Sequence, residues 1–141
     1  MSREGNKAII RRLFDEVFNQ GNVEVIDEIV ADNVVGHDAT SREPKRGLAS
    51  LKQVTILFCT AFPDGQYLLS DLIAEEERVV ARWGLQGTHR SEFMEIPATG
   101  KQVSITGIVI YRLANNKIVE YWGNFDTFGL MQQLGVIPSR S

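Results

Sequence analysis

Residues 102–126 read QVSITGIVIYRLANNKIVEYWGNFD, and this stretch decides the fold. Two runs rich in β-branched and aromatic residues flank the pair Asn115-Asn116. Asparagine tolerates the left-handed backbone conformation that a two-residue hairpin turn requires. The stretch therefore predicts a β-hairpin whose strands are residues 102–114 and 117–126.

The two faces of this hairpin predict an assembly. With the turn in place, Val109 is expected opposite Trp122. Asp126 then shares a face with Trp122, because side chains alternate along a strand. The other face would carry Thr106, Ile108, Ile110, Val119, Tyr121 and Phe125. Both faces are largely apolar, whereas a solvated face alternates apolar with polar residues. We therefore expect a second copy of the chain on one face, in a homodimer or higher homo-oligomer.

The N-terminal half has the apolar periodicity of helices. Three helices are predicted, over residues 6–20, 23–31 and 48–61, and the breaker Phe62-Pro63-Asp64-Gly65 ends the third. Between the second and third helices, VVGHDATSREPKRG is polar and rich in turn formers, so residues 34–47 are predicted to form a loop.

After Gly65 the apolar period changes to two. Strands are predicted over residues 66–76 and 78–89, with Asp71 opposite Arg82, and a loop over residues 90–101. Helices followed by an antiparallel meander indicate an α+β fold, with the helices packed on one side of a bent sheet. The length of 141 residues fits a single domain spanning 1–141.

Composition argues against several classes of partner. The net charge is −3 and basic residues do not cluster, so no nucleic-acid surface is expected. Cys59 is the only cysteine, which excludes an intrachain disulfide, and its apolar setting favours a buried structural thiol. No stretch has the length of a membrane span and the N-terminus lacks an apolar signal region, so a cytoplasmic protein without a membrane partner is expected.

Several segments together carry a family resemblance. They are NKAIIRRLFDEVFNQGNVEVIDEIVADNVVGHD, FPD, GTHRSEFMEIPATGKQV, GIVIYRLANNKIVEYWGNFD and GLMQQLG. In this order they resemble the SnoaL-like polyketide cyclase (ester cyclase) family, of the nuclear transport factor 2-like superfamily. The resemblance covers nearly the whole chain.

The resemblance implies both a fold and a chemistry. The fold is a cone-shaped, curved antiparallel sheet wrapped around a cavity that the N-terminal helices close. The chemistry is an intramolecular aldol closure that uses no metal or organic cofactor. By this resemblance, the aspartate that acts as general base falls at Asp126. Family membership alone does not fix the reaction, since such folds host many functions.

Asp126 has two interpretations that do not exclude each other. As a helix N-cap, it would accept hydrogen bonds from amide groups of residues 127–130. As a cavity carboxylate walled by Trp122, Phe125 and Phe128, it would lose solvation and become a better base.

Histidine could supply the acid that such chemistry needs. His89 ends a predicted strand and shares a face with Trp83, so it could stabilise an enolate from a cavity wall. His37 could do the same from a loop at the cavity rim, where Asp38 would either orient it or begin a turn. Each histidine could equally be a packed or surface residue, and neither has the spacing of a metal site.

Four aromatic residues and one amide are predicted to contact the ligand. The candidates are Trp83, Trp122, Tyr111, Phe62 and Asn124, which would wall a pocket for a small apolar or aromatic molecule. The leading hypothesis is a cofactor-free cyclase or isomerase acting on a small apolar carbonyl compound. The alternatives are a non-catalytic binding module on the same fold, or a hydrolase or dehydratase of the same superfamily.

Overall fold

The predicted hairpin lies at the centre of the computed structural model, which describes residues 2–38 and 41–138. Its turn is confirmed, because Asn115 and Asn116 have φ values of 53° and 63°. The two strands occupy the middle of a six-stranded sheet with the order β2-β1-β6-β5-β4-β3. The strands are β1 (Val30–Asp38), β2 (Lys45–Arg46), β3 (Gln66–Glu75), β4 (Arg78–Thr88), β5 (Gln102–Ala114) and β6 (Lys117–Phe125).

Helices cover one face of this curved, unclosed sheet, so the predicted α+β class and cone-like architecture are confirmed. The helical elements are α1 (Arg3–Arg12), a π-helical segment (Leu13–Asn19), a 3-10 turn (Val23–Val25), α2 (Ile26–Ile29), α3 (Leu48–Ala61) and α4 (Thr127–Leu134). α3 has the predicted bounds. In β3 and β4, Asp71 and Arg82 are paired as expected, with Arg82 Nε 2.6 Å from Asp71 Oδ2.

The prediction of a loop over residues 34–47 is wrong in part. Residues 34–38 belong to β1, which runs parallel to β6, and residues 45 and 46 form β2. Residues 39 and 40 lie outside the described part of the chain. The strand was missed because its sequence is half polar and its stability comes from pairing with a strand more than eighty residues away. The sheet is therefore mixed and the meander is not purely antiparallel.

The first helix changes its geometry at Leu13. From Leu13 to Asn19 the backbone is π-helical, and residues Phe14 and Phe18 meet there with ring centroids 4.8 Å apart. Long π-helical stretches are rare and recur at functional sites. The second predicted helix is shorter than expected, because β1 begins at Val30.

The predicted register of the hairpin is wrong beyond its first two residue pairs. Leu113 pairs with Ile118, but the next residue of β5, Arg112, pairs with Glu120. Val119 is therefore an extra residue, a β-bulge, in β6. A one-residue shift moves every later side chain of β6 to the opposite face.

The bulge decides which side chains of β6 face the helices. Tyr121 pairs with Tyr111 and Gly123 pairs with Val109, on the concave face of the sheet. Phe125 follows on that same face. Trp122, expected on the concave face, lies on the convex one instead.

A row of side chains crosses the convex face. Through successive strand pairs it runs from Ile73 to Val80, Ile110, Trp122 and His37. Ile73 is 62% exposed, and elsewhere on this face Leu68 is 69% and Ile108 is 50% exposed. Large exposed apolar side chains, interspersed with the charged pairs Asp71–Arg82 and Arg112–Glu120, favour a protein–protein contact on this face.

We predict that two chains associate through this convex face. Light scattering at micromolar concentration should return at least twice the mass of one chain, and Ile108→Glu should shift the mass toward the single chain by placing a charge in the contact. A single-chain mass for the unmodified protein would contradict the prediction.

In the described part of the chain, no helix is long and apolar enough to cross a bilayer.

Candidate active site

A cavity lies between the concave face of the sheet and the helices, with a volume of about 140 Å³. Its walls are mostly apolar. They come from the π-helical segment, from α3 and from β4 to β6, and include Phe14, Phe18, Val54, Phe58, Trp83 and Phe125. Pockets for drug-sized ligands are commonly 300–1,000 Å³, so this cavity fits a smaller molecule.

Asp38 is the only carboxylate that lines this cavity in the described part of the chain. It is half-buried at the end of β1, and its Cα lies opposite that of Gly123. Gly123 therefore places no side chain next to Asp38, and the nearest atom to a Cβ built at Gly123 is Val109 Cγ2, at 3.7 Å. The site thus places one acid group at the edge of an apolar chamber.

All three tyrosines of the chain line the same cavity. Burial raises the pKa of Tyr67 and of Tyr111 well above the usual tyrosine value. Burial and, second, the charge of Asp38 raise the pKa of Tyr121. The three phenols therefore stay protonated at neutral pH and can donate hydrogen bonds.

Tyr121 is held in place by Gly36. A methyl group at position 36 would collide with the ring and hydroxyl of Tyr121, so the ring lies directly on the β1 backbone. Gly36 and Asp38 are two residues apart and face the same side of β1. The carboxylate and the phenol therefore approach the cavity from neighbouring strands.

The three buried tyrosines predict how folding stability depends on pH. In the unfolded chain a tyrosine ionises near pH ~10, whereas the folded pKa values are higher. Folding stability should therefore be retained below about pH 10 and lost as the pH rises above it. A phenolate absorbance titration should show no tyrosine ionising normally, and all three should ionise together with alkaline unfolding. A phenol that titrates near pH ~10 in the folded protein would contradict this placement.

His37 is one of the residues that line the cavity, but it lies in β1 rather than in the predicted loop, and its ring contacts residues of the convex face. Its Nε2–H donates to Glu120 Oε2 at 2.7 Å. Its ring stacks on that of Trp122, with ring centroids 5.4 Å apart and an angle of 8° between the ring planes. This hydrogen bond is the main cause of a lowered pKa at Glu120, to which Arg112 also donates at 3.1 Å. The network fixes the end of β1, and with it the position of Asp38.

Trp122 has a second contact on the convex face. The guanidinium of Arg78 lies 5.1 Å from the centre of its ring, a cation–π distance. Since Trp122 does not line the cavity, its predicted place in the pocket is wrong, and the bulge at Val119 is the reason. Tyr121 and Phe125 occupy the positions that Trp122 was expected to fill.

His89 is fully buried and does not line the cavity. The backbone N–H of Thr99 donates to its Nδ1 at 3.2 Å, which ties the end of β4 to the loop before β5. Its ring also packs near Phe62, with centroids 5.9 Å apart. The expectation that His89 faces the cavity is therefore wrong, because the strand ends at Thr88 and the chain turns away.

Asp126 also lies outside the cavity. It is exposed and caps α4, with Oδ1 accepting from the backbone N–H of Gly129 at 2.9 Å. The cap interpretation of Asp126 is confirmed, and its expected position on a cavity wall is wrong. Its expected role as a base is not tested by this geometry alone.

Of the other predicted ligand contacts, three line the cavity and one does not. Trp83, Tyr111 and Asn124 are among its lining residues. Phe62 is buried and instead lines a neighbouring chamber. The cavity residues that the sequence does not predict include Asp38, which falls in the predicted loop, and Tyr121, which the predicted register puts on the other face. In the described part of the chain, no three His, Cys, Asp or Glu side chains are grouped so as to hold a metal ion.

The fold and site define a class of protein: an α+β domain whose curved sheet and N-terminal helices enclose an apolar pocket for a small molecule. The family model described as SnoaL-like polyketide cyclase matches residues 8–134. The chain therefore belongs to the SnoaL-like polyketide cyclase family, as its motifs indicated. No curated protein sequence gives a significant match.

Solved structures of similar proteins have the same fold. A candidate polyketide cyclase from Acidithiobacillus ferrooxidans is 30% identical, with a TM-score of 0.82 over 95% of this chain and 97% of that one. IdmH from Streptomyces antibioticus, also described as a candidate polyketide cyclase, is 28% identical, with a TM-score of 0.80 over 92% and 98%. AclR from Streptomyces galilaeus, described as a candidate hydroxylase, is 26% identical, with a TM-score of 0.88 over 99% and 87%.

Proposed function

We propose that this protein is a cofactor-free acid–base enzyme that closes a ring in a small, mostly apolar carbonyl compound. Family membership and the candidate cyclases among its structural neighbours support a cyclase-type function in general terms. The observation that carries the specific proposal is the carboxylate of Asp38 at the edge of an apolar cavity that also holds three protonated phenols.

The reaction begins at a carbon next to a carbonyl group. The Asp38 carboxylate takes a proton from this carbon, and the C–H electron pair moves into an enolate. The Asp38 carboxylate lines the cavity, so a bound carbonyl compound can lie within proton-transfer reach of it.

The negative charge on the enolate oxygen needs a hydrogen-bond donor. Tyr121 is suited to this role because its hydroxyl stays protonated and its ring lies beside Asp38's strand. The enolate carbon then attacks a second carbonyl carbon of the same molecule and forms the new C–C bond. The oxygen of that carbonyl receives the proton held by Asp38, so the carboxylate is regenerated.

The apolar walls of the cavity orient the bound substrate. Trp83 packs against Tyr67, with ring centroids 5.7 Å apart, and presents a flat aromatic surface to the cavity. Gly107 lies beneath Trp83, since a methyl group at position 107 would collide with the indole. A planar substrate held against this surface has few orientations available, which favours one mode of ring closure.

A binding module is the second candidate function. The specific observation in its favour is that the cavity walls are almost entirely apolar, which suffices to hold a ligand without converting it. Under this alternative Asp38 would only hydrogen-bond to the ligand.

The two functions differ in one reaction that does not require the natural substrate. A general base that removes an α-proton should catalyse exchange of that proton for deuterium in D₂O, even in a simple ketone. Acetophenone that binds, as measured by thermal shift, and exchanges its methyl protons faster with protein than in buffer supports the enzyme. Binding without faster exchange supports the binding module.

A further inference from the structure

A second chamber adjoins the cavity at the end of the π-helical segment. Its volume is about 150 Å³, and it lies between Asn19, the breaker at Phe62 and Pro63, and Leu85 of β4. Gln20 and Pro63 are exposed, so this side chamber reaches the surface away from Asp38.

The two chambers share one wall. Four residues line both of them, namely Phe18, Phe58, Cys59 and Tyr67. Apart from this wall, the main cavity is bounded by the sheet and α3, and the side chamber by the helix end and the turn before β3. These four side chains therefore form the boundary between the two chambers.

Two members of the shared wall are fixed by their surroundings. Phe58 packs edge-on against Phe93 and Phe125, with centroids 5.0 and 5.9 Å away. Tyr67 is held through its backbone, since Asn19 Oδ1 accepts from Tyr67 N at 2.6 Å and Asn19 Nδ2 donates to Tyr67 O at 3.1 Å. This pair of bonds also fixes the side chamber's rim.

Cys59 is the smallest member of the wall. Burial raises the pKa of its thiol, so at neutral pH the group is uncharged and acts as an apolar spacer. Because the other three members are aromatic rings, a change in the size of the side chain at position 59 is the simplest way to alter this boundary.

We infer that the two chambers form one elongated binding site, with Cys59 at the passage between them. The ligand is then a molecule in two parts: a flat ring bearing the reactive carbonyl in the main cavity, and an unbranched apolar tail that passes Cys59 into the side chamber. This inference rests on the proposed function, and it adds the shape of the substrate class.

A series of phenyl alkyl ketones tests this shape. Acetophenone, butyrophenone, hexanophenone and octanophenone carry the same ring and carbonyl with increasingly long tails. Dissociation constants from calorimetry or fluorescence titration should fall with tail length in the wild-type protein, by up to roughly fourfold for each methylene group that becomes buried. The gain should end when the tail reaches the surface at Gln20.

Substitutions at Cys59 should change this dependence in opposite directions. Cys59→Leu narrows the passage, so the affinity gain should stop after the shortest tails. Cys59→Ala widens it, so the gain should persist or steepen. Acetophenone serves as the internal control, because it has no tail to pass Cys59: any change in its affinity measures the effect of the substitution on the main cavity alone. Thermal unfolding shows whether each variant is folded, and either variant alone suffices for the comparison.

The outcomes separate this inference from the function on which it rests. If acetophenone binds but affinity does not depend on tail length across the ketone series, the two-part site is overturned and the proposed function stays intact. The same holds if affinity depends on tail length equally in the wild-type protein and both Cys59 variants. Failure of every ketone to bind overturns the proposed function and the inference together.

Discussion

Asp38→Asn is expected to lower the rate of α-proton exchange in bound acetophenone by about a hundredfold to ten-thousandfold, the usual contribution of a general base. Asparagine keeps the size of aspartate but cannot take up a proton at neutral pH. Ketone affinity should change little, because apolar walls supply most of the binding. The measurement is exchange in D₂O followed by NMR at saturating ketone.

The matched control is Asp126→Asn. Asp126 is exposed and its carboxylate caps α4, a role that asparagine can also fill. This variant should exchange α-protons at the wild-type rate and unfold at nearly the wild-type temperature. If Asp126→Asn instead loses exchange while Asp38→Asn retains it, the base is Asp126, and the cavity must rearrange when ligand binds.

Gly36→Ala is expected to destabilise the fold and to impair catalysis at once. The added methyl group would collide with the ring and hydroxyl of Tyr121, so either the ring or β1 must move. Overpacking of this kind costs about 1–3 kcal/mol in the free energy of unfolding, which denaturant titration measures. Because Tyr121 is the proposed enolate donor, the exchange rate should fall more than ketone affinity.

Gly84→Ala is the control for this substitution. Gly84 also lies within a strand, but a Cβ there meets only the carbonyl oxygen of Ile105, at an ordinary 3.7 Å. Its backbone does not need positive φ, so the change should leave stability unchanged or raise it by less than about 1 kcal/mol. Equal destabilisation by both alanines would mean that Tyr121 does not pack on β1 as described.

The elements of this fold could be predicted from local sequence where local chemistry determines them. The Asn115-Asn116 turn, α3 and the Asp71–Arg82 pair follow from turn preference, apolar period and charge. β1 could not be predicted in this way, because half of its residues are polar and its partner β6 is distant in sequence. The local sequence therefore predicts a loop where the structure has the strand that carries Asp38.

The candidate site was harder to predict than the fold, and one residue accounts for much of the difference. The bulge at Val119 reverses the facing of all later residues of β6, and nothing in the alternation of KIVEYWGNFD marks it. With the bulge, Tyr121 replaces Trp122 in the cavity. Trp83 and Tyr111 were placed correctly because β4 and β5 pair without a shift.

Asp126 is unusual in the sequence but has an ordinary position in the structure. A carboxylate among aromatic residues is unusual in sequence, but in three dimensions it sits where β6 ends and α4 begins. Its apolar neighbour Phe128 is itself 64% exposed and builds no pocket around it. Asp38, the general base of our proposal, lies in a polar segment of the sequence, where no local feature distinguishes it from its neighbours.

The most direct test of the central claim is a crystal structure of the protein with a phenyl alkyl ketone bound. We expect the phenyl ring against Trp83, the carbonyl oxygen within hydrogen-bond distance of the Tyr121 hydroxyl, and the α-carbon roughly 3–3.5 Å from an Asp38 carboxylate oxygen. A ketone bound outside this cavity, or one inside it whose carbonyl points away from both Tyr121 and Asp38, would contradict the account.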